Sequence, residues 1–303
     1  MTSLTPTDTQ VDLTVNKLTE EQFNDLSAKN RLDQNQLWYV APEEQQYMVL
    51  GQGSGATIRD IFRENLSPSV PDNLTFVALE DNSTVSMSSS SGPSVSLEYS
   101  TDNGQTWNTF TVGSTTITLA HVNDMVQFRA TSTNSAFALS YKSYYNYFTG
   151  TGSLEVAGDL RTIYDKDNWR SLTTTNSYAM VRLFTNFTAL KDAHYLNIGF
   201  STFGTNGASR CMEGCSNLTR GPYIKATGSL GSYSLEYFFQ NCSSLQEITL
   251  EMASSTASWS TSVFQSWVNG VPSGGTIYTN RASPGTGTSL FPSGWTIKAL
   301  SQR

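Results

Sequence analysis

The residues of this 303-residue chain best suited to nucleophilic, acid–base or metal chemistry are two histidines, His121 and His194, and three cysteines, Cys211, Cys215 and Cys242. Ser–His–Asp catalysis needs an exposed nucleophile beside its base, and neither histidine sits near a G-x-S-x-G elbow that would present one. Both read as surface or strand histidines. Cys211-Met212-Glu213-Gly214-Cys215 invites a metal or redox reading, yet there is no CxxC pair and the few Cys and His are scattered. The cysteines read as small core hydrophobes. Glycoside hydrolysis needs two carboxylates across a cleft; Glu247/Glu251 and Asp165/Asp167 have the right types, but such pairs occur in any chain of this size and read as solvated faces. No catalytic residue, metal ligand or cofactor site is assigned. The remaining chemistry is aromatic: Tyr144, Tyr145, Tyr147, Tyr233, Tyr237 and Trp259 can stack on sugar rings if exposed, or fill core and subunit contacts if not.

Composition narrows the field further. At about 150 residues per domain the chain holds two or three units. Charged residues make up 14% and apolar residues 38%, which is neither a disordered nor a membrane composition. Lys+Arg of 18 against Asp+Glu of 25 gives a net charge of −7, without the basic surface that nucleic-acid binding needs. No apolar run is long enough for a membrane span, and MTSLTPTDTQVD has no signal-peptide pattern, so synthesis in a cytoplasm is expected.

These side chains must be held by local elements that the sequence marks unevenly. Thr19-Glu20-Glu21-Gln22 is a capping box, flanked by a Leu18/Phe23 staple and continued by Leu26, which predicts a helix over 20–29. Gln36-Leu37-Trp38-Tyr39-Val40 then reads as a strand stopped by Ala41-Pro42. Gly51-Gln52-Gly53-Ser54-Gly55 fits neither GxGxxG nor GxxxxGK[ST] and reads as a hinge, with Thr57 capping a short helix through Ile58, Ile61 and Phe62. From 71 to 160 the period becomes two, in Val95/Leu97/Tyr99, Ile117/Leu119 and Val126/Phe128, which predicts an antiparallel β-sandwich. Ser100-Thr101-Asp102-Asn103-Gly104-Gln105-Thr106-Trp107 reads as a hairpin turn in which Asp and Gly satisfy the backbone and Trp covers it.

The C-terminal part repeats. Phe184-Thr185-Asn186-Phe187-Thr188-Ala189-Leu190, Met212-Glu213-Gly214-Cys215-Ser216-Asn217-Leu218 and Phe239-Gln240-Asn241-Cys242-Ser243-Ser244-Leu245 follow one another at 28 and 27 residues, with a fainter copy at Phe264-Gln265-Ser266-Trp267. Each such unit can bury its edge only against the next, so Phe187, Cys215, Cys242 and Trp267 are expected on one rung, and Leu190, Leu218 and Leu245 on another.

The last two phrases resemble BspA-like leucine-rich repeats, in which an F-x-x-C-x-S-L phrase recurs. Trp267 to Tyr278 with Phe291-Pro292-Ser293-Gly294-Trp295-Thr296-Ile297 is similar to the closing cap of such arrays. Leu97 to Trp107 is similar to a β-domain found beside these repeats in proteins of gut Bacteroidetes and their phages. Its Ser100–Trp107 part also fits the Asp-box of sialidase propellers, an enzyme class that would need several copies and an arginine cluster. Leu18 to Leu26 with Gln36 to Val40 resembles a phrase near the start of phage virion proteins.

Together these resemble virion fibre or appendage proteins of gut Bacteroides phages of the crAss-like type. The resemblance implies a mainly β protein: a small α/β virion-anchoring region at 1–70, with Leu18, Phe23, Leu26, Trp38 and Tyr39 as anchoring residues; an antiparallel β-sandwich at 71–160; and a short leucine-rich-repeat solenoid at 161–303. It implies a non-enzymatic head or tail fibre, located in the virion. Its partners are capsid or tail proteins and host-surface polysaccharide, the latter through Tyr144, Tyr145, Tyr233, Tyr237 and Trp259, with no membrane or nucleic acid. Narrow proteins with small cores gain rigidity by three-fold association, so a homotrimer is expected. A capsule depolymerase and a bacterial surface adhesin are the alternatives; an adhesin would need an export signal, whereas a virion part leaves by lysis.

Overall fold

The structure, a computed structural model, describes residues 72–140, 142–253, 262–280 and 291–303, together with the backbone of four strands nearer the N-terminus. The chain divides into two compact units, Met1–Ser69 and Val70–Arg303.

The first unit contains one sheet in the order β1 (Val15–Thr19), β2 (Leu37–Ala41), β3 (Gln45–Leu50), β4 (Thr57–Arg59). β1 and β2 run parallel, with Asn16 opposite Trp38, Lys17 opposite Tyr39 and Leu18 opposite Val40. The other pairs are antiparallel. The helix expected over 20–29, with Phe23 and Leu26, lies outside the described residues. The helix expected from Thr57 is corrected: Thr57, Ile58 and Arg59 pair with Leu50, Val49 and Met48. Two β-branched residues in succession favour an extended, paired backbone over a helical start. The GQGSG stretch, read above as a hinge, lies outside the described residues.

The second unit is mainly β, with 3-10 turns as its only helical elements among the described residues. Its first part comprises β5 (Leu74–Ala78), β6 (Ser83–Ser90), β7 (Leu97–Ser100), β8 (Asn108–Phe110), β9 (Thr116–Leu119), β10 (Met125–Ala130), β11 (Tyr145–Thr151) and β12 (Leu154–Asp159). β12, β5, β10, β7 and β8 are neighbours in one antiparallel run, and β11, β6 and β9 form a second sheet. β6 alternates buried Ser83, Val85 and Met87 with half-buried residues, as a strand covered on one face must. β5 is buried at every position. Between the sheets Phe76 and Phe128 meet Phe148 at ring separations of 5.0 and 5.3 Å.

The large sheet does not end at β12. It continues through β13 (Leu190–Asp192), β14 (Leu196–Ile198), β15 (Arg220–Ala226), β16 (Glu247–Met252), β17 (Thr276–Thr279) and β18 (Thr296–Ala299), all parallel. Parallel neighbours require a return path, and the chain supplies it as a series of tight turns on the other side of each coil. Inside a coil each turn closes over three residues, as in Phe187 N to Phe184 O (3.2 Å), Cys215 N to Met212 O (3.2 Å) and Cys242 N to Phe239 O (3.1 Å). Between coils the alternate N–H groups donate onward: Phe184 N to Cys211 O (2.8 Å), Met212 N to Phe238 O (3.0 Å) and Phe239 N to Trp267 O (2.7 Å).

These turns place every fourth residue in the left-handed region. One such column is Asn186, Gly214, Asn241 and Gly270, with φ of 54°, 74°, 61° and 80°. Asn and Gly are the residues that tolerate this backbone best. Their alternation has a second cause, since a Cβ on Gly214 would lie 2.1 Å from Asn186 Oδ1, and one on Gly270 would lie 2.6 Å from Asn241 Oδ1. Each asparagine packs over the bare α-carbon of the next coil.

The two-sheet region covers the first coil on both sides. β12 pairs with β13 and β14 in the large sheet. On the turn side Phe137 N, Phe148 N and Leu154 N donate to Ala179 O, Leu183 O and Ala189 O at 2.7, 2.7 and 2.9 Å. Phe148 stacks on Phe184 at 5.6 Å, and Phe76 touches both Phe184 and Phe187. One buried core runs from Leu74 to Phe291 without interruption.

Candidate functional site

The turns bring together sequence-selected tyrosines with residues that sequence reasoning passed over. A second left-handed column holds Arg182, Arg210 and Tyr237 on successive coils. Bulky residues are disfavoured in this conformation, so their presence asks for a compensating interaction. It is found in a row across the coils. The Arg182 guanidinium lies 5.3 Å from the Tyr145 ring, and the Arg210 guanidinium lies 4.1 Å from the Tyr237 ring. Glu213 sits between the two arginines, its Oε1 accepting from Arg210 Nη1 at 2.6 Å and its Oε2 ion-paired with Arg182 Nη1 at 3.1 Å. Burial raises the Glu236 carboxyl beside this group above its ordinary range, although Arg210 opposes the shift.

Tyr145 and Tyr237 are half-buried ends of this row, while Tyr144 and Tyr233 stand 52% and 40% exposed, both with left-handed backbone. Trp259 lies outside the described residues. The turn edge is thus a line of phenol rings and guanidinium groups held on a hydrogen-bonded stack. Arg182, Arg210 and Glu213 had one signal in the sequence, the 28-residue spacing of the arginines, which matches the repeat.

Phe187, Leu190, Cys215, Leu218, Cys242, Leu245 and Trp267 are all buried. Trp267 is nevertheless out of the register expected for it. The Phe239 N to Trp267 O bond sets Val271 in line with Cys242, and Trp267 one turn earlier, beside Phe238. Side-chain similarity aligned Trp267 with Cys242, whereas the backbone follows the left-handed position at Gly270.

The thiols are structural in a way their hydrophobicity did not reveal. Cys215 Sγ donates to Phe184 O at 3.0 Å, and Cys242 Sγ donates to Met212 O at 3.1 Å, so each ties its coil to the one before. Burial pushes the Cys215 thiol up to about 12 and raises Cys211 and Cys242 as well. Since the thiolate is the reactive form, none of the three is expected to react with an aromatic disulfide reagent at pH 8 in the folded chain, and all three in denaturant. Rapid labelling of the native protein would contradict this packing.

The Ser100–Trp107 turn joins β7 to β8. Asp102 accepts from Ser100 Oγ (2.7 Å), Thr106 N (2.9 Å) and Thr106 Oγ (2.5 Å), while Trp107 Nε1 donates to Gly104 O (3.0 Å) and Arg129 covers the indole at 3.8 Å. The Thr106 and Ser100 hydrogen bonds hold the Asp102 carboxyl down at about 2. With an unfolded value of about 3.9, this carboxylate favours the folded turn above roughly pH 4, and that contribution is lost as pH falls toward 2. An NMR titration of Asp102 is expected to show its midpoint near 2 and, in Thr106→Ala, closer to an ordinary aspartate; an ordinary midpoint in the unaltered chain would contradict the assignment.

Of the other residues with catalytic types, His121 is exposed and its N–H caps onto Asp124. Asp165 accepts backbone N–H groups of a tight turn, and Asp167 pairs with Lys166. Glu247 and Glu251 are not simply solvated: His194 Nδ1 lies 2.6 Å from Glu247 Oε1, and the Tyr223 hydroxyl donates to Glu251. Burial alone would raise Glu247, but the His194 hydrogen bond and charge, with Arg303 and Arg220 nearby, carry it below its ordinary range. A cleft of about 520 Å³ opens between Ser89–Leu97 and Thr109–Val112, lined by Ser, Thr, apolar residues and Asn146, with no titratable group. Among the described residues no group of three His, Cys, Asp or Glu could hold a metal, and no helix is long and apolar enough to cross a membrane. No protein-family model, curated protein or solved structure matches the chain.

Proposed function

We propose that the chain is a structural phage virion protein, a head or tail fibre, that acts by display and adhesion and not by catalysis. In this reading the stacked coils are a short leucine-rich-repeat solenoid of the BspA-like kind, the two-sheet region is a β-sandwich stalk, and the first unit, with Leu18, Trp38 and Tyr39, anchors the protein to capsid or tail. The assembled form is a homotrimer. The observation that carries the reading is the row Tyr145–Arg182–Glu213–Arg210–Tyr237, flanked by Tyr144 and Tyr233, on coils whose every backbone level is tied to the next. A rigid row that holds the exposed rings of Tyr144 and Tyr233 at its edge is suited to repeated, weak contacts with sugar faces, whose sum gives avidity.

The test is electron microscopy of purified particles with a gold-labelled antibody to this chain. Labels at projections from the head or tail are expected; particles that carry none would overturn the reading. Incubation of the purified chain with host polysaccharide distinguishes the enzyme alternative, since newly formed reducing ends would require a depolymerase.

A further inference from the structure

The cleft of about 520 Å³ draws its walls from both sheets of the N-terminal part of the second unit. Leu97 of β7 and Thr109 and Phe110 of β8 come from the large sheet, Ser89 of β6 and Asn146 of β11 from the small one, and the segment joining β6 to β7 completes the lining. Its volume lies within the range of small-molecule sites. Leu97 and Phe110 are buried core residues, and Val95 and Val112 are half-buried and packed against that core.

One polar group of the cleft is left unsatisfied. Asn146 is 1% exposed. Its backbone N–H donates to Phe137 O at 2.8 Å and its Nδ2 to Pro93 O at 2.7 Å, but its Oδ1 accepts no hydrogen bond among the described residues. The Pro93 bond fixes the direction of the amide. Gly92, also in the lining, lies against this oxygen, since a Cβ there would stand 2.5 Å from it. A buried acceptor without a donor is costly, and a ligand hydroxyl donating to Oδ1 would relieve it.

The rest of the lining defines the ligand's chemistry. The hydroxyls of Ser94, Ser96, Thr109, Thr111 and Thr131 line the cleft and make no hydrogen bond within the chain among the described residues. A hydroxyl both donates and accepts, so these walls match a ligand that carries hydroxyls of its own. They offer no counter-charge to an ion, whose desolvation would then go unrepaid. Glu98 on β7 and Arg129 on β10 are paired with each other at 2.5 Å. An extended peptide would instead need a free strand edge. β8 has only three residues, and the N–H that follows it, on Thr111, already donates to Thr115 Oγ1 at 3.0 Å.

We propose that this cleft binds an uncharged saccharide, with one sugar hydroxyl donating to Asn146 Oδ1, others meeting the serine and threonine hydroxyls, and a C–H face of the ring on Val95 and Val112. The site lies apart from the turn edge and stands on the lining of the cleft alone.

Amide NMR of the full chain, titrated with β-1,4-linked tetramers of glucose, galactose and mannose and with the β-1,4-linked mannuronate tetramer, tests it. At least one uncharged tetramer is expected to bind in the millimolar range and to shift the Asn146 side-chain amide together with Gly92 and Thr109. The mannuronate tetramer is expected to bind at least about fivefold more weakly. Thr109→Val, which removes a hydroxyl and keeps the shape, is expected to weaken binding about threefold. Ser94→Trp, which fills the cleft from an exposed position, is expected to abolish it, and Thr118→Ala, exposed on β9 and outside the cleft, to leave it unchanged. All three variants should keep the circular dichroism spectrum of the unaltered chain. Failure of every uncharged tetramer to bind, equal or tighter binding of mannuronate, or undiminished binding in either cleft variant would overturn the proposal. Shifts confined to Tyr144, Tyr233 and Tyr237 would also overturn it while favouring adhesion through the turn edge. Shifts at the cleft of a chain that no particle carries would sustain it and overturn the virion reading.

Discussion

A fragment of residues 161–303 is expected to remain unfolded, or to aggregate with exposed apolar surface, whereas residues 70–303 fold to the full β content. The reason is the first coil. Without the two-sheet region, Phe184 and Phe187 lose the rings of Phe76 and Phe148, and the carbonyls of Ala179, Leu183 and Ala189 lose the N–H groups of Phe137, Phe148 and Leu154. The parallel strands β13 and β14 would also present a bare edge where β12 now pairs. Stacked repeats need a terminal cover because each unit is stabilised mainly by its neighbours, and an uncovered apolar edge is a template for association. Far-ultraviolet circular dichroism and dye binding on the two fragments would decide the matter; a soluble, cooperative 161–303 fragment would show that the coils do not depend on this cover.

Glu213→Ala is expected to lower stability by about 3 kcal/mol, at the lower end of what breaking a buried ion pair costs. Glu213, Arg182 and Arg210 have side chains only 15–19% exposed, and the arginines follow one another on successive coils. Removing the carboxylate leaves two guanidinium groups a strand spacing apart, each with an Nε that already lacks a partner. For a unit of this size the loss corresponds to a fall in melting temperature of roughly 6–12 °C. Replacing all three charges together, by Arg182→Met, Arg210→Met and Glu213→Leu, is expected to recover most of it, because burying an ion pair gains little over an apolar contact of similar volume. If Glu213→Ala melted with the unaltered protein, the row of charges would be a surface feature without structural consequence.

Much of this design was legible where it depends on side-chain type. The period of two in Val95/Leu97/Tyr99 marked β7, and the spacing of Cys215 and Cys242 marked the stacking, because a buried rung accepts only small or apolar residues. Backbone conformation was harder to read. Asn186, Gly214, Asn241 and Gly270 signal a left-handed column only once aligned, and Arg182, Arg210 and Tyr237 occupy such positions against their preferences. Trp267 was aligned by its likeness to a core residue, while Gly270 sets the actual register.

Long-range pairing was least visible. A change of period near residue 160 suggests an end to the two-sheet region, yet β12 is buried along its whole length because it serves both that region and the coils. No local pattern announces that a strand will pair antiparallel on one side and parallel on the other. The glycan-contact candidates were similarly divided. Tyr145 and Tyr237 declare themselves as aromatics, but their relation through two arginines and Glu213 exists only when three coils are superposed.

The claim on which the rest depends is that residues 70–303 behave as one continuous β body, from the two-sheet region through the coils. Differential scanning calorimetry of that segment tests it most directly. The account predicts a single transition whose calorimetric and van't Hoff enthalpies agree, shifted as a whole by a substitution in either part, such as Phe110→Ala or Phe239→Ala. Two separable transitions, each moved by only one of these substitutions, would contradict it.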